Sequence, residues 1–274
     1  MCRWAAYAGP PVFIENMILA PAHSLIEQSQ HASESKTATN GDGFGMAWYG
    51  ERETPGLYRD ILPAWADTNL RSLASQIRSP LFLAHVRAAT GGGTNRDNCH
   101  PFIYKNWSFM HNGQIAHFEK MRRSLEAKLS DEIFALRHGA TDSELMFLLA
   151  IEFGLNENPI AAFEKVLWLV QQTSQEKHIE TLVRFTACFT DGKNLHAIRF
   201  STDDKPPSLY FAHCDRDKSI CLVSEPFDHV DRNWTSVPRN AHVVVTDGQI
   251  KITDFSPENF SRPMTNDAHQ KSAA

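Results

Sequence analysis

Apolar positions follow three regimes along the chain. Early on they form short compact runs: residues 2–8 (CRWAAYA), 43–49 (GFGMAWY) and 81–87 (LFLAHVR). Runs this short, bounded by Gly, Pro and polar residues, predict strands. Gly9-Pro10-Pro11 is expected to stop the first one. Residues 101–104 and 107–110, separated by Lys105-Asn106, predict a hairpin. Between these runs, residues 22–31 and 68–78 carry apolar side chains at helical spacing.

The middle of the chain is helical in pattern. Thr141 and Glu144 have capping-box spacing ahead of Leu145, Leu148, Leu149 and Phe153, and Gly154 is placed to end that helix. A second amphipathic helix is predicted over 158–173. Strands return at 182–190, 194–200, 208–213, 219–224, 241–246 and 249–253, with hairpin turns at Asp191-Gly192 and Asp247-Gly248. Strands, then helices, then strands predict an α+β layered fold of antiparallel sheets flanked by helices. No internal repeat or linker divides the chain. A single domain is expected over 2–260, followed by a polar, mobile tail at 261–274 (SRPMTNDAHQKSAA).

Composition narrows the function classes. The 274 residues are 42% hydrophobic and 22% charged, enough for a sizeable core. The net charge of −5, with no basic stripe, argues against nucleic acid or an anionic membrane as partner. The five cysteines, Cys2, Cys99, Cys188, Cys214 and Cys221, include no CxxC pair, so neither a disulfide framework nor a zinc knuckle is expected. Glu15 and Pro10-Pro11 interrupt any secretion-signal core, and no apolar stretch approaches the ~20 residues of a membrane span. A soluble cytoplasmic protein is the expectation. His85, His100, His111 and His117 lack HExxH or another short ligand pair, so no metal or other cofactor is expected.

Several residues are candidates for chemistry. Cys2 becomes the terminal residue if Met1 is removed, bringing a thiol together with an α-amine of pKa about 7.7–8.0 that can act as its base. The plain alternative is a small residue opening a buried strand. In FMHNGQI (109–115) a strand is expected to end at Met110, with a helix beginning at Ile115. Asn-Gly is an ordinary turn signal. It can also do acyl-transfer work, with the Asn112 amide and the Gly113 N–H converging as an oxyanion hole. Arg87 precedes Gly91-Gly92-Gly93. It is either a solvated surface charge or a clamp for a small carboxylate. With no following Gly-Lys-Ser/Thr, the glycines suggest a lid rather than a phosphate loop. NCHPF (98–102) and NGDGFG (40–45) read as loops bordering strands. Asp142, in a first helical turn, either complements the helix dipole or awaits a substrate ammonium group.

Five motifs occur in order: Met1-Cys2, His85-Val86-Arg87-Ala88-Ala89-Thr90, Asn98-Cys99-His100-Pro101, His111-Asn112-Gly113 and Thr141-Asp142-Ser143-Glu144. In this the chain resembles the class-II glutamine amidotransferases, which are N-terminal-nucleophile hydrolases. SEPF at 224–227, with Trp234 and VVVTDGQI at 243–250, is similar to the end of that domain. The resemblance implies a four-layer α-β-β-α sandwich and hydrolysis of a γ-glutamyl amide. It implies Cys2 as nucleophile, Asn112 and Gly113 as oxyanion hole, Arg87 for the substrate α-carboxylate and Asp142 for its α-ammonium. Thr90, His100 and the 88–95 loop would line or cover the pocket.

Ala88 stands where many members have Trp, and NGDGFGMAWY departs from the Gly-Asp-Ser pattern of the large biosynthetic enzymes. Both features resemble small stand-alone members, such as the amidase component of glutathione breakdown and the γ-glutamyl hydrolase of the ergothioneine pathway. The expected partner is a small γ-glutamyl substrate with a bulky amine portion, with a synthetase or peptidase as a further possible partner. Alternatives are a glutaminase subunit feeding ammonia to a separate synthetase, or an N-terminal-cysteine amidase of the bile-salt or penicillin type. A catalytically silent binding module is a third, expected if Met1 is retained.

Overall fold

The computed structural model describes residues 2–31, 39–89, 93–203, 205–214, 217–227 and 233–257. The N-terminal part comprises β1 (Arg3–Phe13), α1 (Glu15–Ile18), α2 (Leu25–Gln30), β2 (Phe44–Tyr49), β3 (Gly56–Asp60), α3 (Thr68–Gln76) and β4 (Arg78–Val86). Next come β5 (Phe102–Tyr104), β6 (Trp107–Ile115), α4 (Phe118–Glu126), α5 (Asp131–Phe134), α6 (Asp142–Glu152) and α7 (Pro159–Glu176). The chain then adds β7 (Val183–Thr190), β8 (Leu195–Ser201), β9 (Tyr210–Cys214), β10 (Ser219–Val223), β11 (Thr235–Ser236), β12 (Ala241–Thr246) and β13 (Gln249–Asp254).

The strands form two antiparallel sheets. One runs β11-β9-β10-β1-β4-β2-β3, the other β13-β12-β8-β7-β6-β5. Period-2 alternation sends successive side chains to opposite faces, and both faces of both sheets are covered. In β1, Ala5 and Tyr7 pack with α1–α3 residues such as Met17, Leu25 and Leu70. Trp4 and Ala6 instead meet Met110, Cys188 and Ala197 of the other sheet. On that sheet's outer face Phe109, Phe185 and Phe189 pack under Met121, Phe147 and Phe163 of α4, α6 and α7. These three apolar layers make the molecule a four-layer α-β-β-α sandwich.

Local signals account for many boundaries. Asp67 caps α3 by accepting from Leu70 N, and Asn158 caps α7 ahead of Pro159. Thr141 Oγ1 accepts from Glu144 N at the start of α6, and Gly154 (φ +89°) ends it. The Glu144 carboxylate leaves the capping box half-built, accepting instead from the His138 and Gly139 N–H groups. Asp247 and Gly248, both at positive φ, form the β12–β13 turn.

Two expectations are corrected. The first strand does not stop at Gly9-Pro10-Pro11 but runs to Phe13, and its pairing with β4 shifts register between Ala8 and Val12. A bulge tolerates prolines because it leaves ladder positions unpaired. Nor does β6 end at Met110. It continues through His111-Asn112-Gly113 to Ile115, in unbroken register with β7, and the helix begins at Phe118. Eight consecutive pairings with a central strand outweigh the Asn-Gly turn preference. Strand β3 and helices α1 and α5 had no counterpart in the sequence pattern. The 261–274 tail lies outside the described residues. Among the described residues no helix is long and apolar enough to cross a membrane.

Candidate active site

Pairing within the first sheet sets Cys2 beside Arg87. β1 and β4 align Arg3 with Val86, so the residues before and after them are neighbours. The Ala88 N–H points at Cys2 Sγ (3.4 Å). Arg87 is held by its own backbone: its N–H donates to Gly43 O (2.8 Å) and its carbonyl accepts from Asp42 N (3.0 Å). Arg87 Nη1 also donates to Asp42 O (3.3 Å), and Asp42 Oδ2 accepts from Ala89 N (2.8 Å). The NGDGFG loop thus forms the bracket for residues 87–89.

The second sheet reaches the same place through β6. Asn112 Nδ2 donates to the Cys2 carbonyl (2.7 Å), joining the sheets at the cysteine. Gly113 has φ +145°, and a Cβ there would collide with the Arg184 carbonyl of β7. Glycine is therefore required at that position by packing alone. Asp142 opens α6 against the end of β6. Its Oδ2 accepts from Ile115 N and its Oδ1 from Ser143 N, both at 2.8 Å.

Buried neutral imidazoles underlie this arrangement. The His85 and His100 rings lie 4.3 Å apart between centroids. Burial pushes His85 down to about 3, helped by the Arg87 charge, and pushes His100 well below the ordinary histidine range. Burial also lowers His111, with the Asp142 charge pulling the other way. His111 Nε2 faces the Arg184 carbonyl (3.3 Å) and so carries the proton, leaving Nδ1 to accept from the Ser143 hydroxyl (2.8 Å). Burial raises the Cys2 thiol, while the Ala88 N–H and the Arg87 and Arg3 charges act to lower it.

Cys2, Arg87, His100, Gly113 and Asp142 all line one cleft of about 570 Å³. Asn112 is buried against the cysteine through its contact to Cys2 O. Thr90 and the 90–92 part of the expected lid lie outside the described residues. The cleft also includes a wall from Gln114 to Lys120 that sequence reasoning missed. A helix expected from Ile115 hid it. In the structure a left-handed turn at His117 (φ +57°) separates strand from helix and presents this segment to the cleft. Among the described residues no cluster of three or more His, Cys, Asp or Glu is arranged to hold a metal.

A profile of the class-II glutamine amidotransferases matches residues 15–230. The chain belongs to that family. It is 31% identical to the probable glutamine amidotransferase DUG3 of Saccharomyces cerevisiae, across 95% of this chain and 86% of that protein. It is 32% identical to the gamma-glutamyl-hercynylcysteine sulfoxide hydrolase of Mycobacterium tuberculosis, across 92% of this chain and 96% of the relative. A solved class-II glutamine aminotransferase domain protein from Silicibacter pomeroyi is 35% identical with TM-score 0.76, covering 93% of this chain and 99% of that one. A solved glutamine phosphoribosylpyrophosphate amidotransferase from B. subtilis, at 17% identity, and a solved allosteric regulatory enzyme of purine biosynthesis, at 16%, share the fold. Family membership carries a class-level reaction, that of an N-terminal-nucleophile hydrolase on a γ-glutamyl-type compound.

Proposed function

We propose that the chain hydrolyses the γ-glutamyl amide of a peptide or thiol conjugate, with Cys2 as nucleophile and a γ-glutamyl thioester as intermediate. The proposed catalytic domain is residues 2–260. One observation carries the reading: a single cleft presents the Cys2 thiol between a guanidinium, Arg87, and a backbone-anchored carboxylate, Asp142. A zwitterionic glutamyl head needs one cationic and one anionic partner, because an unpaired charge taken out of water is costly.

Removal of Met1 frees the Cys2 α-amine, which takes the thiol proton. The thiolate attacks the γ-carbonyl carbon, and the resulting oxyanion is held by Asn112 Nδ2–H and the Gly113 N–H. Collapse expels the substrate amine, which leaves with the proton held by the α-amine. Water, deprotonated by the same amine, then cleaves the thioester, releasing glutamate and restoring the thiol. His100 lines the same cleft. The cleft volume falls in the range that holds drug-sized ligands, beyond a glutamyl head alone, and Ala88 lines it. Both features support a substrate with a large amine portion.

Intact mass of the protein purified without an N-terminal tag, with kinetics on glutamine and a panel of γ-glutamyl peptides and thiol conjugates, tests the proposal. The expected result is a chain starting at Cys2 whose kcat/KM is highest for a peptide or conjugate. Highest kcat/KM on glutamine, stimulated by a synthetase, would replace it with an ammonia-supplying role. A chain starting at Cys2 that turns over no γ-glutamyl amide overturns it.

A further inference from the structure

Behind Cys2 the structure places a buried charged knot joined to the nucleophile's backbone. Arg3 is 1% exposed and Glu225 3% exposed, and Arg3 Nε donates to Glu225 Oε2 at 2.7 Å. Glu225 Oε1 meets His23 Nε2 at 2.6 Å. Arg3 Nη1 donates to the Cys2 carbonyl oxygen at 3.0 Å, the atom that also accepts from Asn112 Nδ2. One donor from each sheet therefore grips the same oxygen.

The partner segment is itself pinned. Ser224 N donates to Trp4 O (3.0 Å), and Trp4 N donates to Ser224 Oγ (2.9 Å). Gln28 Nε2 of α2 donates to the carbonyls of His23 and Glu225, at 3.0 and 3.2 Å. The SEPF stretch thus becomes a rigid mount for the Glu225 carboxylate.

A buried ion pair is a poor device for stability, because desolvation offsets much of the attraction. What the pair supplies here is geometry. A residue at the very end of a chain is covalently held on one side only and frays unless tied down. The guanidinium is planar, so fixing Nε on Glu225 also fixes the direction of Nη1 toward Cys2. We propose that Glu225, acting through Arg3, is a positioning residue that holds the Cys2 backbone so that its thiol meets the substrate carbonyl. The inference rests on the reading of Cys2 as nucleophile.

Wild type, Glu225→Gln and Arg3→Lys, each verified by mass to begin at Cys2, are compared in three measurements. These are steady-state kinetics on the best γ-glutamyl substrate, iodoacetamide alkylation of Cys2, and thermal unfolding. Arg3→Lys keeps a cation opposite Glu225 but loses the planar fork, and it decides alone if Glu225→Gln does not fold. Folded variants are expected to lose about 10- to 100-fold in kcat. KM should stay within about twofold, because Arg87 and Asp142 are untouched. Alkylation should persist, showing a thiol that is present but misaimed. Unchanged kcat in a folded variant overturns the inference alone. So does a rise in KM with kcat intact, loss of alkylation together with turnover, or failure of both variants to fold, each of which marks the knot as structural. Wild type that turns over no γ-glutamyl compound instead overturns the functional reading, and this inference falls with it.

Discussion

The two sides of Cys2 handle charge in opposite ways. Behind it, Arg3 and Glu225 pair away from solvent, with the half-buried His23 ring on the second Glu225 oxygen. In front, Arg87 and Asp142 stand on the walls of the cleft, and the two Asp142 oxygens are held by backbone N–H groups of Ile115 and Ser143. The back sets a buried cation against a buried anion within the protein and suits a mount. The front presents two oppositely charged groups, set in place by backbone contacts, and suits recognition of a small zwitterion. Fixed groups on both sides are what electrostatic preorganisation requires.

The sharpest way to divide the two sides is to delete the atom between them. Cys2→Ala should abolish turnover while leaving the thermal midpoint unchanged and the glutamyl product still bound, as calorimetry would show. Lost binding would mean that the thiol belongs to the front rather than dividing front from back. Asn112→Ala touches both sides, since its amide already holds Cys2 O and is proposed to receive the oxyanion. A fall in kcat of roughly 10²–10³ is expected, and a change confined to KM would remove Asn112 from the chemistry.

Asp142→Asn keeps the shape and the acceptor for Ile115 N but removes the charge and the acceptor for Ser143 N. Substrate capture, measured as kcat/KM, should weaken by about 2 kcal/mol with the fold intact. Near-normal kcat/KM would leave the front with no anionic partner for the substrate ammonium.

A pH profile, independent of substrate, separates both sides from the rest of the core. Burial lowers His85 to about 3, and lowers His242 to about 3 and His196 to about 4 in a stacked pair on the second sheet. The unfolded chain protonates these rings below about pH 6.5, whereas the folded chain does so only near pH 3–4. Stability should therefore fall as pH drops through that window, by about 1.4 kcal/mol per pH unit for each such ring. Urea midpoints between pH 7 and 4 check this. A flat profile would mean that the rings gain compensating partners on protonation.

Much of the frame was legible because it depends on local rules. Apolar runs bounded by turn residues marked most strands, and Asp247-Gly248 and Lys105-Asn106 fell where hairpins turn. Thr141 ahead of an apolar run placed Asp142 at the head of α6. Cys2, Arg87, Gly113, His100 and Asp142 were singled out by residue type and order, and the structure brings them to one cleft. What the sequence determined was therefore which residues are candidates for the chemistry of the cleft and which faces are apolar, since both follow from side-chain identity and periodicity. Only the tertiary structure decided that His111-Asn112-Gly113 stays in a strand, because the β7 ladder that holds it lies far along the chain. The Gln114–Lys120 wall follows from that strand. Arg3 and Glu225 are 222 positions apart. No local rule reaches that far, and only the layering of α2, β1 and the end of β10 brings a carboxylate to the back of Cys2.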